Sequence, residues 1–251
     1  KARATRFRWI AGILWAVAIV GEGVGIFWLL RQRVFVGEDG ELLRNPDTGL
    51  LEEQGVTATF PQWAFIALLV LLVVIAALSI TGSVLWKKAN RLDPARKADK
   101  TRFFVQNQLG AIITIIAFLP LIIMIFLNKD MDGKQKGIAG AIGIVLLLVA
   151  GYFGTSINPP STEQYTAETE QVVEITGQNL VFWTKSGNVF HLCQDASAVN
   201  LDSADNTIYS GTVAEAHAAG KPRLTLQVEQ EKKQCGFDTA AEVTPEPTPT
   251  P

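Results

Sequence analysis

The chain has 251 residues, a formal net charge of −2 and a hydrophobic fraction of 48%. This length allows one large or two small domains, and the near-neutral charge argues against a general nucleic-acid partner. Hydrophobic residues concentrate in four stretches before residue 158, whereas the remainder of the chain is polar.

The four apolar stretches cover about 9–30, 63–86, 103–127 and 137–157. A bilayer core of roughly 30 Å needs about 20 helical residues, so each stretch is long enough to cross it. The sequence predicts a membrane all-α domain over 1–157 with four transmembrane helices. We expect the first stretch to remain in the protein, because it is too long for the apolar region of a signal peptide and lacks a small-residue cleavage site before the polar loop.

Basic residues indicate the orientation of these helices. Four Lys or Arg precede the first helix and seven lie between helices 2 and 3, but loop 31–60 has three against six acidic residues. The positive-inside rule therefore predicts a multi-pass plasma (inner) membrane protein with a cytoplasmic N-terminus. Four spans return the C-terminal domain to the cytoplasm. The lack of Lys or Arg between Lys136 and Lys185 leaves the opposite side open for that domain.

Loop 31–60 contains turn-forming sequences at 37–40 and 45–49, with short apolar pieces beside them. Glycine, proline, asparagine and aspartate at these positions are typical of tight turns. We expect an ordered loop with one or two hairpins. It is either a partner-binding surface or a solvated connection.

Glu22 is an ionisable residue inside the first predicted span. Such a residue suggests a proton or cation relay, or a carboxyl that is hydrogen-bonded to another helix or a partner chain. Gly21 and Gly25 have the GxxxG spacing that lets helix backbones approach closely, which favours the structural interpretation. The small residues of helix 4, from Gly137 to Gly143, predict a packing face within the chain or against another subunit. Pro120 predicts a kink in helix 3.

The polar part of the chain divides into a linker over 158–171, a small α+β domain over 172–236 and a Pro/Thr-rich tail over 237–251. Within the domain we predict strands at 172–175, 180–184 and 189–192, the last two joined by a turn. A capping box from Thr212 to Glu215 predicts a short helix that ends near Gly220. Residues 223–234 are expected to form a strand followed by a helical turn. Because the tail cannot fold alone, we expect a partner to hold it.

The small domain contains a polar cluster of His191, Cys193, His217 and Cys235. These types can bind zinc, but no closely spaced pair of ligands supports a site. The cysteines are plain thiols, a disulfide or weak metal candidates. We therefore expect no metal site, no cofactor and no catalytic residue in this chain.

Two segments of the small domain, 181–193 and 209–221, resemble the C-terminal region of actinobacterial four-helix membrane proteins of the kind found in Corynebacterium. The resemblance implies an accessory subunit of the cytochrome bcc–aa3 respiratory supercomplex, in which partner subunits carry haem and copper. The first segment also resembles small zinc modules of the Ada type. Those modules have a closing cysteine pair, whereas this chain has only Cys235 followed by Gly236.

These observations predict a non-catalytic accessory subunit of a large membrane complex that packs against other membrane subunits and bound lipid. One alternative is a membrane-anchored regulator that responds to metal or redox state through the small domain. Another is a small transporter that uses Glu22.

Overall fold

The structure, a computed structural model, describes residues 1–36, 57–199 and 205–237. It is mostly helical, with two pairs of short strands among the described residues. The helices are α1 (Ala2–Phe27), α2 (Gln62–Leu92), α3 (Lys100–Leu127), α4 (Gly133–Gly154), α5 (Thr162–Thr176), α6 (Val213–Ala218) and α7 (Val228–Gln234). The strands are β1 (Val34–Val36), β2 (Thr57–Thr59), β3 (Val181–Thr184) and β4 (Ile208–Gly211).

The four predicted spans correspond to α1 through α4, each of which is long and apolar enough to cross a membrane. All four helices begin before the predicted apolar limits, and α2 also ends beyond them, because polar residues at these ends can continue a helix in water. In contrast, α1 ends at Phe27 and α4 at Gly154, each three residues before the predicted limit. The expectation of four long apolar helices is confirmed.

The chain forms two compact units. The helical unit contains residues 5–87 and 107–157, and the polar unit contains residues 1–4, 88–106 and the chain from 158 onward.

The core of the helical unit is formed mainly by α2 and α3. Leu68, Leu72 and Ile75 of α2 are fully buried, as are Phe118 and Leu121 of α3. Apolar side chains also cover the outside of the unit, as expected for helices that face lipid. For helices in lipid, hydrophobic burial gives little drive for association, and close packing is the interaction expected to hold them together.

Small residues allow that close packing between α3 and α4. A Cβ atom added at Gly154 would lie 2.7 Å from both the backbone N of Ala111 and the backbone C of Gly110. Farther along α4, Gly140 faces the ring of Phe126 and Gly143 faces Ile122. These glycines of α4 therefore pack within the chain.

The connection between α1 and α2 begins and ends in an antiparallel strand pair, with Val34 opposite Thr59 and Val36 opposite Thr57. This pair agrees with the prediction of a hairpin-like loop. Arg33 also forms an ion pair with Asp130 at 2.6 Å, which ties the base of the loop to the α3–α4 connection. The turn sequences at 37–40 and 45–49 lie outside the described residues.

The predicted linker over 158–171 and the predicted strand over 172–175 are wrong, because α5 occupies Thr162–Thr176. Ser161 caps the helix by accepting a hydrogen bond from the Gln164 backbone N–H, and Gly177 ends it with φ of 76°. The inner face of α5 mixes polar and apolar side chains, so its helical periodicity was hidden in a polar sequence.

The predicted hairpin between residues 180–184 and 189–192 is present only in part. Its first strand is β3, but the full ladder of β3 is antiparallel with β4, in a register that sets Val181 opposite Gly211. Residues 189–192 make only isolated bridges, one between Phe182 and His191 on the other edge of β3 and one between Phe190 and Leu224. The turn after β3 therefore brings residues 189–192 back beside β3, but these residues do not form a second strand.

The predicted capping box at Thr212 and Glu215 is confirmed at the start of α6. Gly220 adopts φ of 98° just after that helix, as its predicted role in ending the helix requires. Residues 223–227 do not form the predicted strand, whereas the predicted helical turn is α7. The tail from residue 238 lies outside the described residues, so the expectation that a partner holds it stays a prediction.

We expect Gly154→Ala to destabilise the protein by about 1–3 kcal/mol, because its methyl group would overlap backbone atoms that cannot rotate away. Gly151→Ala is the matched control, since no atom lies within 4 Å of a Cβ at that position. The control should be neutral or stabilise α4 by up to about 1 kcal/mol. Thermal unfolding in mild detergent, followed by tryptophan fluorescence, measures both. Equal stability of the two variants would contradict the packing described.

Candidate functional site

Glu22 is buried in the helical unit and binds the backbone of α3. One of its carboxylate oxygens accepts a hydrogen bond from the Leu121 N–H at 3.3 Å. Leu121 follows Pro120, and a proline in a helix removes one N–H and interferes with the neighbouring hydrogen bonds. The carboxyl of Glu22 therefore supplies an acceptor next to the proline of α3.

Gly21 and Gly25 lie beside the same contact. A Cβ atom at Gly25 would lie 3.0 Å from Leu71 of α2 and 3.2 Å from Leu121 of α3, and one at Gly21 would touch Leu71 and Ile75. The GxxxG pair thus packs against helices of this chain, as the structural interpretation of Glu22 requires.

In the polar unit, His217 is buried between an aromatic ring and a carboxylate. Its Nε2 lies 2.5 Å from Glu168 Oε2, and its ring stacks on Tyr165 with centroids 3.8 Å apart. The other oxygen of Glu168 accepts from Gln164 Nε2 at 3.1 Å and from the Leu224 backbone N–H at 3.4 Å. This carboxylate therefore joins α5, α6 and the segment before α7.

His191 forms a second buried pair. Its Nδ1 lies 2.6 Å from Glu231 Oε1, and Glu231 Oε2 accepts from the Leu192 N–H at 3.0 Å. Glu231 is only 2% exposed. Its carboxylate anchors α7 against the chain that follows the β3 turn.

Cys193 and Cys235 form a disulfide that closes a sequence separation of 42 residues. The bond fastens the end of α7 to the residue two positions after His191. Both cysteines are half-buried. Of the three states left open by the sequence, the structure has the disulfide.

The four weak metal candidates are thus brought into two histidine–glutamate pairs and one disulfide. Sulfur atoms joined in a disulfide are not thiolate ligands. Across residues 1–36, 57–199 and 205–237, the structure has no group of three His, Cys, Asp or Glu side chains placed to hold a metal ion.

The polar unit also contains an open cavity of about 780 Å³. Its walls come from the end of α2 and the following loop, the start of α3, residues 158–160, α5, the turn after β3 and the segment after α6. The lining residues that carry a basic side chain are Arg91, Lys97, Lys221 and Arg223, with Tyr165 and His217 beside them. Pockets of this size are typical of small-molecule sites.

Lys221 is the buried basic residue of this cavity, at 5% exposure. Its Nζ donates hydrogen bonds to the backbone oxygens of Lys185, at 3.0 Å, and Gly187. Burial lowers the pKa of the Lys221 ammonium, because removal from water disfavours the charged form. Burial also raises the pKa of the Tyr165 hydroxyl, which donates to the backbone oxygen of Arg91 at 3.0 Å.

Sequence reasoning missed this cavity because its basic residues come from positions far apart in the chain. In the sequence, Arg91 and Lys97 contribute to the predicted orientation, and Arg223 falls in a predicted strand. The one sequence signal that could have indicated the cavity is the excess of basic residues in the second loop. These residues lie beside Lys221 only because α5 docks on that loop.

No protein-family model, curated protein or solved structure matches this chain.

We expect Glu22→Gln to retain nearly all stability, because the amide oxygen can still accept from the Leu121 N–H. Glu22→Leu has similar bulk but no acceptor, so it should cost about 1–3 kcal/mol. Thermal unfolding in mild detergent compares the two variants with the parent protein. A leucine variant as stable as the glutamine variant would show that the hydrogen bond does not contribute to the fold.

Proposed function

We propose that this protein is a non-catalytic accessory subunit of a multi-subunit membrane complex. The observation that carries the proposal is the use made of its buried and half-buried ionisable groups. Glu22, Glu168 and Glu231 each accept from a backbone N–H of this chain, and Lys221 donates to backbone oxygens. Groups that are occupied in this way stabilise a scaffold.

The proposed complex is an actinobacterial respiratory assembly of the bcc–aa3 type. The resemblance of 181–193 and 209–221 supports this choice, and partner subunits would carry the haem and copper. Apolar outer faces on the helical unit give partner helices and lipid a surface to pack against. Leu148 and Val145 of α4 are 67% and 58% exposed, for example.

We further propose that the polar unit faces the cytoplasm. This unit contains residues 1–4 and 88–102, which carry most of the basic residues of the two basic segments. The disulfide favours an oxidising compartment instead. We give the charges more weight, since they act during insertion, whereas half-buried cysteines can exchange between thiol and disulfide inside a cell.

The accessory-subunit proposal predicts that tagged protein, extracted from its native membrane in mild detergent, brings respiratory subunits with it. Mass spectrometry should identify bcc and aa3 subunits, and the visible spectrum of the eluate should show cytochrome bands. A tagged, unrelated membrane protein purified in parallel is the control. A colourless eluate that contains this chain alone would contradict the proposal.

The disulfide supports a second candidate, a membrane-anchored regulator that responds to redox state. Cys193 and Cys235 connect α7 to the segment that contains His191, so opening the bond would free the end of α7. Since both residues are half-buried, a small thiol can reach them. This candidate requires that the bond change state within living cells.

The redox candidate predicts a reversible change in the state of these two cysteines. Acid quenching of intact cells, followed by alkylation with a maleimide that adds mass, should show free thiols in resting cells and a disulfide after brief diamide treatment. A Cys193→Ser, Cys235→Ser variant is the control for labelling elsewhere. Cysteines that stay fully oxidised under both conditions would exclude this candidate and also place the polar unit outside the cytoplasm.

A further inference from the structure

We propose that the cavity of the polar unit binds a phosphate-bearing anion, either the headgroup of an anionic phospholipid or a free phosphate compound. This inference does not depend on the accessory-subunit proposal. It rests on the charges that line the cavity, on the buried ammonium of Lys221 and on the position of Arg91 along α2.

The charges around the cavity are of one sign. Arg91, Lys97 and Arg223 are exposed on its walls, and no described lining residue carries a carboxylate. The nearest acidic groups already have partners, since Glu163 accepts from the Lys97 backbone N–H at 3.0 Å and Glu168 lies against His217. An anion entering the cavity would therefore meet three basic side chains without a competing lining carboxylate.

A neighbouring cavity of about 730 Å³ in the same unit provides a contrast. Its lining mixes both signs, as Arg96 and Arg102 are accompanied by Asp93, Asp99 and Glu170. Two cavities of similar size in one unit thus differ in charge. The absence of acids from the first is a property of its lining rather than of the whole surface.

Lys221 gives the first cavity a further reason to hold an anion. The ammonium is buried, and its hydrogen bonds go to neutral carbonyl oxygens with no described carboxylate in an ion pair with it. A charge removed from water without a counter-charge is costly. A phosphate in the cavity would offset that cost, and it would accept from the guanidinium groups of Arg91 and Arg223, which suit its geometry.

The position of Arg91 along α2 suggests a lipid headgroup as a source of the phosphate. α2 continues without interruption to Leu92, and Arg91 follows Trp86, the last residue of the apolar stretch, by five residues. At 1.5 Å per residue this is about 7 Å along the helix, which is the depth of lipid headgroups beyond the hydrocarbon core. A basic residue at this distance from the end of an apolar stretch is suited to an anionic headgroup.

The first test compares single-charge variants of the full-length protein in mild detergent. Native mass spectrometry measures the binding of added phosphatidylglycerol, with phosphatidylcholine as the neutral lipid. We expect Arg91→Gln and Arg223→Gln each to weaken phosphatidylglycerol binding by about fivefold or more. Arg96→Gln is the matched control, because it also removes one arginine charge, but from the lining of the neighbouring cavity. Equal effects of all three variants would overturn the proposal.

The second test identifies the source of the phosphate. Inorganic phosphate and pyrophosphate are titrated into the same protein, alone and with phosphatidylglycerol present. Competition with the lipid that is weakened by Arg91→Gln supports a site for free phosphate compounds. Lipid binding without such competition, also weakened by Arg91→Gln, supports the headgroup. If neither ligand binds in a way that Arg91 and Arg223 control, the inference fails.

A third comparison covers the case in which an arginine variant does not fold. Asn188 lies exposed in the cavity lining, so its substitution should leave the fold intact. Asn188→Glu adds a carboxylate that repels an anion and should weaken binding about fivefold or more, whereas Asn188→Gln should bind as the parent does. Equal binding by these two variants would overturn the proposal.

Discussion

The docking of α5 on the connection between α2 and α3 is the contact on which the polar unit depends. The Thr162 backbone N–H donates to the Ala95 oxygen at 3.2 Å, and the Thr162 hydroxyl donates to the Pro94 oxygen at 3.1 Å. Glu163 accepts from the Lys97 N–H, and this hydrogen bond lowers the pKa of its carboxyl. These hydrogen bonds fix the start of α5 against the second loop. Since α5 follows α4 by only a few residues, the position of α5 determines where the rest of the C-terminal chain begins.

The other features of the unit follow from that contact. Once α5 is fixed, Tyr165 and Glu168 lie where His217 of α6 can stack on one and bind the other. Glu168 also holds the Leu224 backbone, which brings Arg223 toward the same side of the unit. The cavity proposed to bind an anion, here called the anion cavity, lies between α5, α6 and the segment that contains Arg223. Its basic side chains come from both the second loop and the C-terminal domain. A helix mistaken for a linker therefore determines the candidate site.

The sequence predicted the parts of the fold that depend on local patterns. Long apolar stretches predicted α1 through α4, and the capping box at Thr212 predicted α6, because both signals lie within one element. Prediction from the sequence failed where contacts between distant parts of the chain determine the structure. β3 forms its ladder with β4 and only an isolated bridge with the nearby residues 189–192, and the inner face of α5 is recognisable only from the groups it meets. For the same reason, the four weak metal candidates could be listed from the sequence but not divided into two histidine–glutamate pairs and a disulfide.

The basic residues of the second loop have two proposed roles, in setting the orientation of the chain and in lining the anion cavity. Seven basic residues of this loop, including Arg102 at its end, are the basis of the predicted orientation, yet only Arg91 and Lys97 among them line the anion cavity. Orientation depends on the total number of basic residues near the helix ends, so the loss of one leaves six. Binding depends on position, because an anion contacts only the charges that surround it. Neutralising Arg91 should therefore affect the cavity while the chain still inserts in the same orientation.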